Sequence, residues 1–193
     1  ALQRTAWDYS SILFNTAQFQ TVSYLSKEES QELLQKPARE ILEFDPLVLD
    51  KAYHWTHGQP LLLQSLGATL IDQFNKTVRE GKPRSSYVNF TDFEQAVDNL
   101  VKTQNNAAFA DHWKNNDAAT HRVLATLAWC LDDSAYPQID FEGLLYKMRE
   151  ARLDLPYRKD VFDMVQRLAD EEVLQKTELT YHFCVPLYRR WIA

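Results

Sequence analysis

Apolar residues recur along most of this chain at helical spacing. The clearest case is the stripe Leu62, Leu63, Leu66, Leu70 and Phe74, which lines one face of a helix with a period of 3.6 residues. Pro60 stands where such a helix begins, and Gly81 followed by Pro83 closes it. Upstream, Ser26-Lys27-Glu28-Glu29 forms a capping box, with a hydroxyl placed to accept from the backbone N–H three residues on and a carboxylate placed to reach back. The helix it opens is predicted to run to about Gln35 and to stop before Pro37. Asp45-Pro46 opens the next, over Leu47 to about Thr56, ending at Gly58. Thr91-Asp92-Phe93-Glu94 reads as a second capping box, for a helix through Val101. Before all of these, Gln20 to Leu25 alternates polar and apolar residues as a short strand does.

Beyond a turn at Gln104-Asn105-Asn106 and a short aromatic helix around Phe109 and Trp113, the order of elements changes. Helices are predicted over Ala118–Leu131, capped by Asp117, over Phe141 to about Leu153, capped by Asp140, and over Tyr157–Glu171. Val161, Val165 and Leu168 share one face of the last. Two short β-like runs follow, Val173–Lys176 and Tyr181–Val185, joined by Thr177-Glu178-Leu179-Thr180. Three helices and then a hairpin is the order of a winged helix-turn-helix. The predicted fold is therefore mostly α: a helical-bundle lid with a strand remnant over residues 1–105, then a winged helix over residues 106–193, with the boundary in the stretch Asn105–Asn116.

The 193 residues carry a formal net charge of −6. Residues 1–110 hold 10 basic and 13 acidic side chains, and residues 111–193 hold 11 and 14. Neither part has the basic excess that concentrates nucleic acid by counterion release. Cys130 and Cys184 sit far apart among apolar neighbours and read as buried reduced thiols of a cytoplasmic protein. No signal peptide or long apolar run stands in the sequence, so neither secretion nor a membrane span is expected. The chain begins Ala-Leu-Gln without an initiator Met, as a piece of something longer would.

Two segments carry a family likeness. Thr56-His57-Gly58-Gln59-Pro60-Leu61-Leu62-Leu63-Gln64 resembles a segment in the helical lid of the STAND and archaeal-type AAA-like P-loop ATPases. Tyr181 to Ile192, with Pro186-Leu187-Tyr188-Arg189-Arg190-Trp191 at its heart, resembles the end of the winged helix in the same group. The resemblance implies that Gly58, Gln59 and Pro60 form the turn that lies against a bound nucleotide. ATP or ADP with Mg would then belong to the full-length parent, held mainly by an N-terminal P-loop core that is missing here. Gly81-Lys82 is followed by Pro83, and the sequence holds no phosphate-cradling loop, so the chain alone is expected to be no enzyme and to bind nucleotide weakly. Leu61 stands where replication-type AAA+ lids carry an arginine, and Val185 stands nearest the place where many STAND proteins put a phosphate-sensing histidine.

On this reading the chain relays nucleotide state to protein contacts, either with an effector or by self-association. Two alternatives stay open: a DNA-binding winged-helix regulator, and an adaptor with no link to nucleotide. DNA is disfavoured because residues 158–172 set Arg158, Lys159 and Arg167 against Asp160, Asp163, Asp170, Glu171 and Glu172. His54 and His57, one helical turn apart, have no third ligand nearby in sequence and read as helix-end histidines rather than as a metal site. His182 and Cys184 share a strand face without a suggested acid or base partner. Arg189-Arg190-Trp191 reads as a capping helix packed on its own domain, or as an anchor for a partner.

Overall fold

A computed structural model describes residues 24–102, 107–131, 138–153 and 157–193. Most of the strand expected over residues 20–25, the turn at residues 104–106 and the acidic turn after Leu131 lie outside the described residues. Helices α1 (Lys27–Ala38), α2 (Pro46–Thr56), α3 (Pro60–Arg79) and α4 (Phe90–Lys102) form the first group. Short α5 (Ala107–Lys114) leads to α6 (Ala118–Cys130), α7 (Phe141–Glu150), α8 (Arg158–Asp170) and the terminal α9 (Pro186–Ile192). The mostly helical architecture is the one that the periodicity predicts.

In the first group the apolar stripe of α3 is the centre of the core. Leu62, Leu63, Leu66 and Leu70 are almost completely buried, alongside Val48 and Ala52 of α2 and Phe93, Ala96 and Val97 of α4. Each such leucine removed from water stabilises the fold by about 1.5–3 kcal/mol. The box at Ser26 is present as expected, with Glu29 N–H donating to Ser26 Oγ at 3.2 Å and Ser26 N–H donating to Glu29 Oε2 at 2.8 Å.

In this group two expectations about helix ends require correction. Helix α1 runs through Pro37 to Ala38 instead of stopping at Gln35. A proline in the last turn forfeits one intrahelical bond, and here Ala38 beyond it is buried in the core. Helix α4 begins at Phe90, ahead of the predicted box at Thr91 and Glu94. The reciprocal pair is Asn89 with Asp92: Asp92 N–H donates to Asn89 Oδ1 at 3.0 Å and Asn89 N–H donates to Asp92 Oδ2 at 3.2 Å. An amide and a carboxylate do the work assigned to a hydroxyl and a glutamate, and Arg84 adds a 2.8 Å ion pair to the same carboxylate.

The loops before α2 and α4 pair as a two-stranded parallel sheet, β1 (Glu43–Phe44) with β2 (Tyr87–Val88). Strands of two residues leave no period to read, so the sequence gives no warning of them. The second group contains β3 (Ile139–Asp140), β4 (Leu174–Thr177) and β5 (Thr180–Phe183), antiparallel in the order β3-β5-β4. Thr177 faces Thr180, so the hairpin connection is Glu178-Leu179, two residues rather than the four expected. Glu178 takes the left-handed conformation with φ +47°, as tight hairpins require. Helix α7 stops at Glu150, short of Leu153. Val123, Leu124 and Leu127 of α6 pack in the same core as Leu144 and Met148 of α7, Val165 and Leu168 of α8, and Leu174, Tyr181 and Phe183 of the sheet.

Helix α9 closes the arrangement against both groups. Tyr188 and Trp191 stack near Phe109 of α5, with ring centroids at 6.0 and 5.6 Å, and Trp191 meets Trp113 edge-on at 5.9 Å. No helix among the described residues is long and apolar enough to cross a membrane.

Candidate functional site

The turn between α2 and α3 brings Gly58, Gln59 and Pro60 together in a defined geometry. Helix α2 ends as His57 enters the left-handed region at φ +50°, and Gly58 follows at φ +73°. Consecutive left-handed residues reverse the chain sharply, which a residue without a β-carbon adopts at least cost. Gln59 then caps α3: its Oε1 accepts from Leu62 N–H at 3.2 Å, and its own N–H donates to Thr56 O at 3.0 Å. Pro60 occupies the first helical position, where no N–H is needed.

The glycine has a second duty that the sequence does not disclose. Leu25 N–H donates to Gly58 O at 2.9 Å, and a β-carbon on Gly58 would stand 2.1 Å from Leu25 O. The close backbone approach that Gly58 permits is thus taken by the segment entering α1. Tyr24, just before it, meets the His57 ring edge-to-face at 5.6 Å.

Beside this turn lies a cleft of about 20 Å³, lined by Tyr24, Gln59 and Leu62 of the first group, by Phe109 of α5, and by Glu172, Val173, Val185 and Tyr188 of the second. That space admits about one water molecule. A nucleotide base does not fit it in the conformation described. Several titratable groups in this part of the chain are shifted toward their neutral forms. Burial, and then Glu172, pushes the Cys184 thiol up to about 11. Burial raises the Tyr24 phenol, with Cys184 and Glu172 adding to the effect. Burial lowers His182, with His57 adding, and lowers His54, with Lys51 and His57 adding. Burial disfavours the charged form of each of these groups.

Other candidate residues find ordinary partners. His182 Nε2 lies 3.2 Å from Gln175 Oε1 across the hairpin. Among the described residues no group of three or more His, Cys, Asp or Glu gathers as a metal site would. Leu61 is half exposed at the start of α3, and Val185 is the N-cap of α9. On α8, Arg158 forms a bidentate pair with Glu142 and lies over the Phe141 ring, while Arg167 donates to Thr120 Oγ1 at 2.8 Å and to Asn116 Oδ1 at 3.2 Å. Two cations of the would-be recognition helix are engaged within the chain.

The two arginines at the chain's end divide between the two groups. Arg189, buried, donates to the carbonyls of Ala128 and Leu131 at the C-terminal end of α6. Arg190 donates to Asp98 Oδ1 at 2.5 Å and to Glu94 Oε2 at 3.3 Å on α4, and its guanidinium lies 5.1 Å over the Trp55 ring of α2. Sequence reasoning offered Arg189-Arg190-Trp191 as a capping helix or a partner anchor. No local signal pairs Arg190 with Glu94 and Asp98, which lie 96 and 92 positions earlier in the chain.

The sequence matches no protein-family model and no curated protein. Among solved structures the chain is similar to the Walker-type ATPase PABY2304 of Pyrococcus abyssi, with a TM-score of 0.57 and 13% identity. The match covers 88% of this chain and 42% of that one, so the chain spans about two fifths of the neighbour's length. At this identity the likeness is one of fold, and it places the chain's architecture with part of a Walker-type ATPase.

Proposed function

We propose that this chain is the regulatory C-terminal part, lid and winged helix, of a nucleotide-dependent P-loop ATPase switch, and that it relays nucleotide state to protein contacts. The observation that carries the reading is the fold shared with part of a Walker-type ATPase. The order α6-β3-α7-α8-β4-β5 supports a winged helix for the second group. In the proposed parent a P-loop core preceding this chain holds ATP or ADP with Mg, and Gly58, Gln59 and Pro60 face the nucleotide from the lid. The small cleft beside Gln59 implies that this face forms only when the core docks, through a shift of the segment at Tyr24 and Leu25. The effector is a protein or a second copy of the parent, in the cytoplasm. DNA binding is the weaker reading, since α8 sets its Arg158 and Arg167 on internal partners.

Calorimetry on two proteins tests this: the chain alone, and the chain with the polypeptide encoded upstream of Ala1. ATP and ADP are expected to bind the longer protein at least about a hundredfold more tightly, with increased amide protection at residues 57–60. Micromolar ATP binding by the 193-residue chain itself, or an upstream sequence without a Gly-rich Lys-Ser/Thr loop, overturns the proposal.

A further inference from the structure

We propose that Arg190 is an ionic latch across the seam between the two helical groups, and that Arg189 is the fixed pivot from which it acts. The inference does not depend on nucleotide and holds for the chain as it stands.

Adjacent residues on one short helix face opposite partners. Arg189 is only 8% exposed, and its guanidinium meets backbone carbonyls at the end of α6. Cations are favoured there because the helix end concentrates partial negative charge. A buried arginine held this way leaves its site only at the cost of uncovering those acceptors. Arg190 differs in exposure and in partner. Its side chain is 26% accessible, and the side chains of Glu94 and Asp98 are 34% and 45% accessible. Pairs this wet are weakly held one at a time and are screened by salt. Engagement of two separate carboxylates, with the Trp55 ring 5.1 Å away, gives the group a defined seat.

The apolar part of the seam belongs to the same core, with Leu62 of α3 and Leu187 and Tyr188 of α9 all buried in it. A 20 Å³ cleft, room for about one water, lies beside Gln59 and Tyr188. Arg190 adds a charged contact at the more exposed margin of this packing. Releasing Arg190 also leaves Glu94 and Asp98, four residues apart on α4, facing each other as like charges. The latch therefore biases the seam toward closed at low salt and loosens it as ionic strength rises, while α9 stays on α6.

Cys184 is half-buried at the edge of the seam, close enough to Tyr24 of the other group to help raise its phenol. It follows β5, its N–H donates to Val173 O at 3.1 Å, and burial keeps its thiol protonated. In a Cys130→Ser background, the rate of alkylation of Cys184 at pH 8 measures opening. The unmodified protein is expected to react about tenfold faster in 1 M than in 0.05 M NaCl, the scale of two partly exposed ion pairs acting together. Glu94→Gln/Asp98→Asn, which keeps shape and avoids leaving a repelling pair, is expected to react at the fast rate at low salt and to show no salt response. Arg190→Lys, with charge but neither fork nor stacking, falls between. Amide exchange in the interiors of α3 and α6 stays slow throughout. A salt-independent rate in the unmodified seam overturns the proposal. So does a rate increase accompanied by loss of protection in both interiors, because that is global unfolding. Should an Arg190 variant fail to fold, the neutral acid pair still gives either outcome.

Discussion

Asp45 and Tyr87, 42 positions apart, meet at 3.0 Å through the tyrosine hydroxyl and one carboxylate oxygen, while the other oxygen caps α2 by accepting from Leu47 N–H at 2.8 Å. One side chain thereby joins the loop that starts α2 to the strand that precedes α4. The hydrogen bond to Asp45 raises the Tyr87 phenol above its ordinary value. Asp45→Ala is expected to lower stability by about 1 kcal/mol, the usual worth of an N-cap, or roughly 2–4 °C in melting temperature for a chain of this size. Tyr87→Phe is expected to cost less than Asp45→Ala. In the double variant the losses should fall short of their sum, because removing either partner already breaks the bond. Strictly additive melting shifts would show that the contact contributes nothing.

The cap of α4 offers a sharper comparison. Asp92 satisfies Asn89 N–H and accepts Arg84 in a pair whose side chains are only 16% and 15% exposed. Asp92→Ala leaves that guanidinium without its carboxylate and is expected to cost about 3 kcal/mol. Thr91→Ala, which removes the hydroxyl that the sequence pattern favours as cap, is expected to cost no more than about 0.5 kcal/mol. Urea titrations of the two variants rank them, and a reversed order would return the cap to Thr91.

Gly58→Ala combines a left-handed backbone with a β-carbon driven into Leu25 O. The backbone conformation alone costs about 1–2 kcal/mol, and the clash forces Leu25 away. A total loss of about 3 kcal/mol or more is expected in chemical denaturation. Gly81→Ala is the control. That residue has φ +69° with open space around it, so its substitution carries only the conformational part. Equal losses at the two glycines would mean that Leu25 does not hold the turn.

Alkaline conditions should weaken the fold through Cys184. Its folded value of about 11 lies above the 9.0 of an unburied thiol. The unfolded chain therefore releases this proton first as pH rises. The stability it contributes is whole below pH 9 and disappears between about pH 9 and 11. Cys184→Ala should lose less melting temperature than the parent between pH 8 and pH 10.5. Tyr24 and Tyr188, also raised by burial, leave part of the alkaline loss in place. Identical pH profiles for the two proteins would exclude the thiol from this role.

How legible each feature was depended on the length of its signal. The stripe from Leu62 to Phe74 repeats over several turns, and α3 appears where it predicts. The box at Ser26 is read directly because both of its partners lie within four residues. Pro37 misled because a breaker rule considers the backbone locally, whereas burial of Ala38 carries the helix past it. The pairing of Glu43-Phe44 with Tyr87-Val88 spans a whole helical hairpin and leaves no periodic trace. At the candidate site, the Gly58-Gln59-Pro60 turn was visible as a turn. Its occupant, Leu25, was not, since nothing in a glycine's letter says which atom it must make room for. Arg190 stood out as an arginine beside a tryptophan, but its partners Glu94 and Asp98 lie 96 and 92 positions away.

The contact between Leu25 and Gly58 also has a mechanical meaning. A load applied to the polypeptide before Leu25 does not first draw out slack, because a backbone bond to Gly58 O and a sterically filled gap meet it at once. The pull arrives at the hinge between α2 and α3, at the base of the longest helix in the chain's described residues. Entry of the chain and the start of α3 are thereby tied through a single residue, Gly58, with no side chain between them.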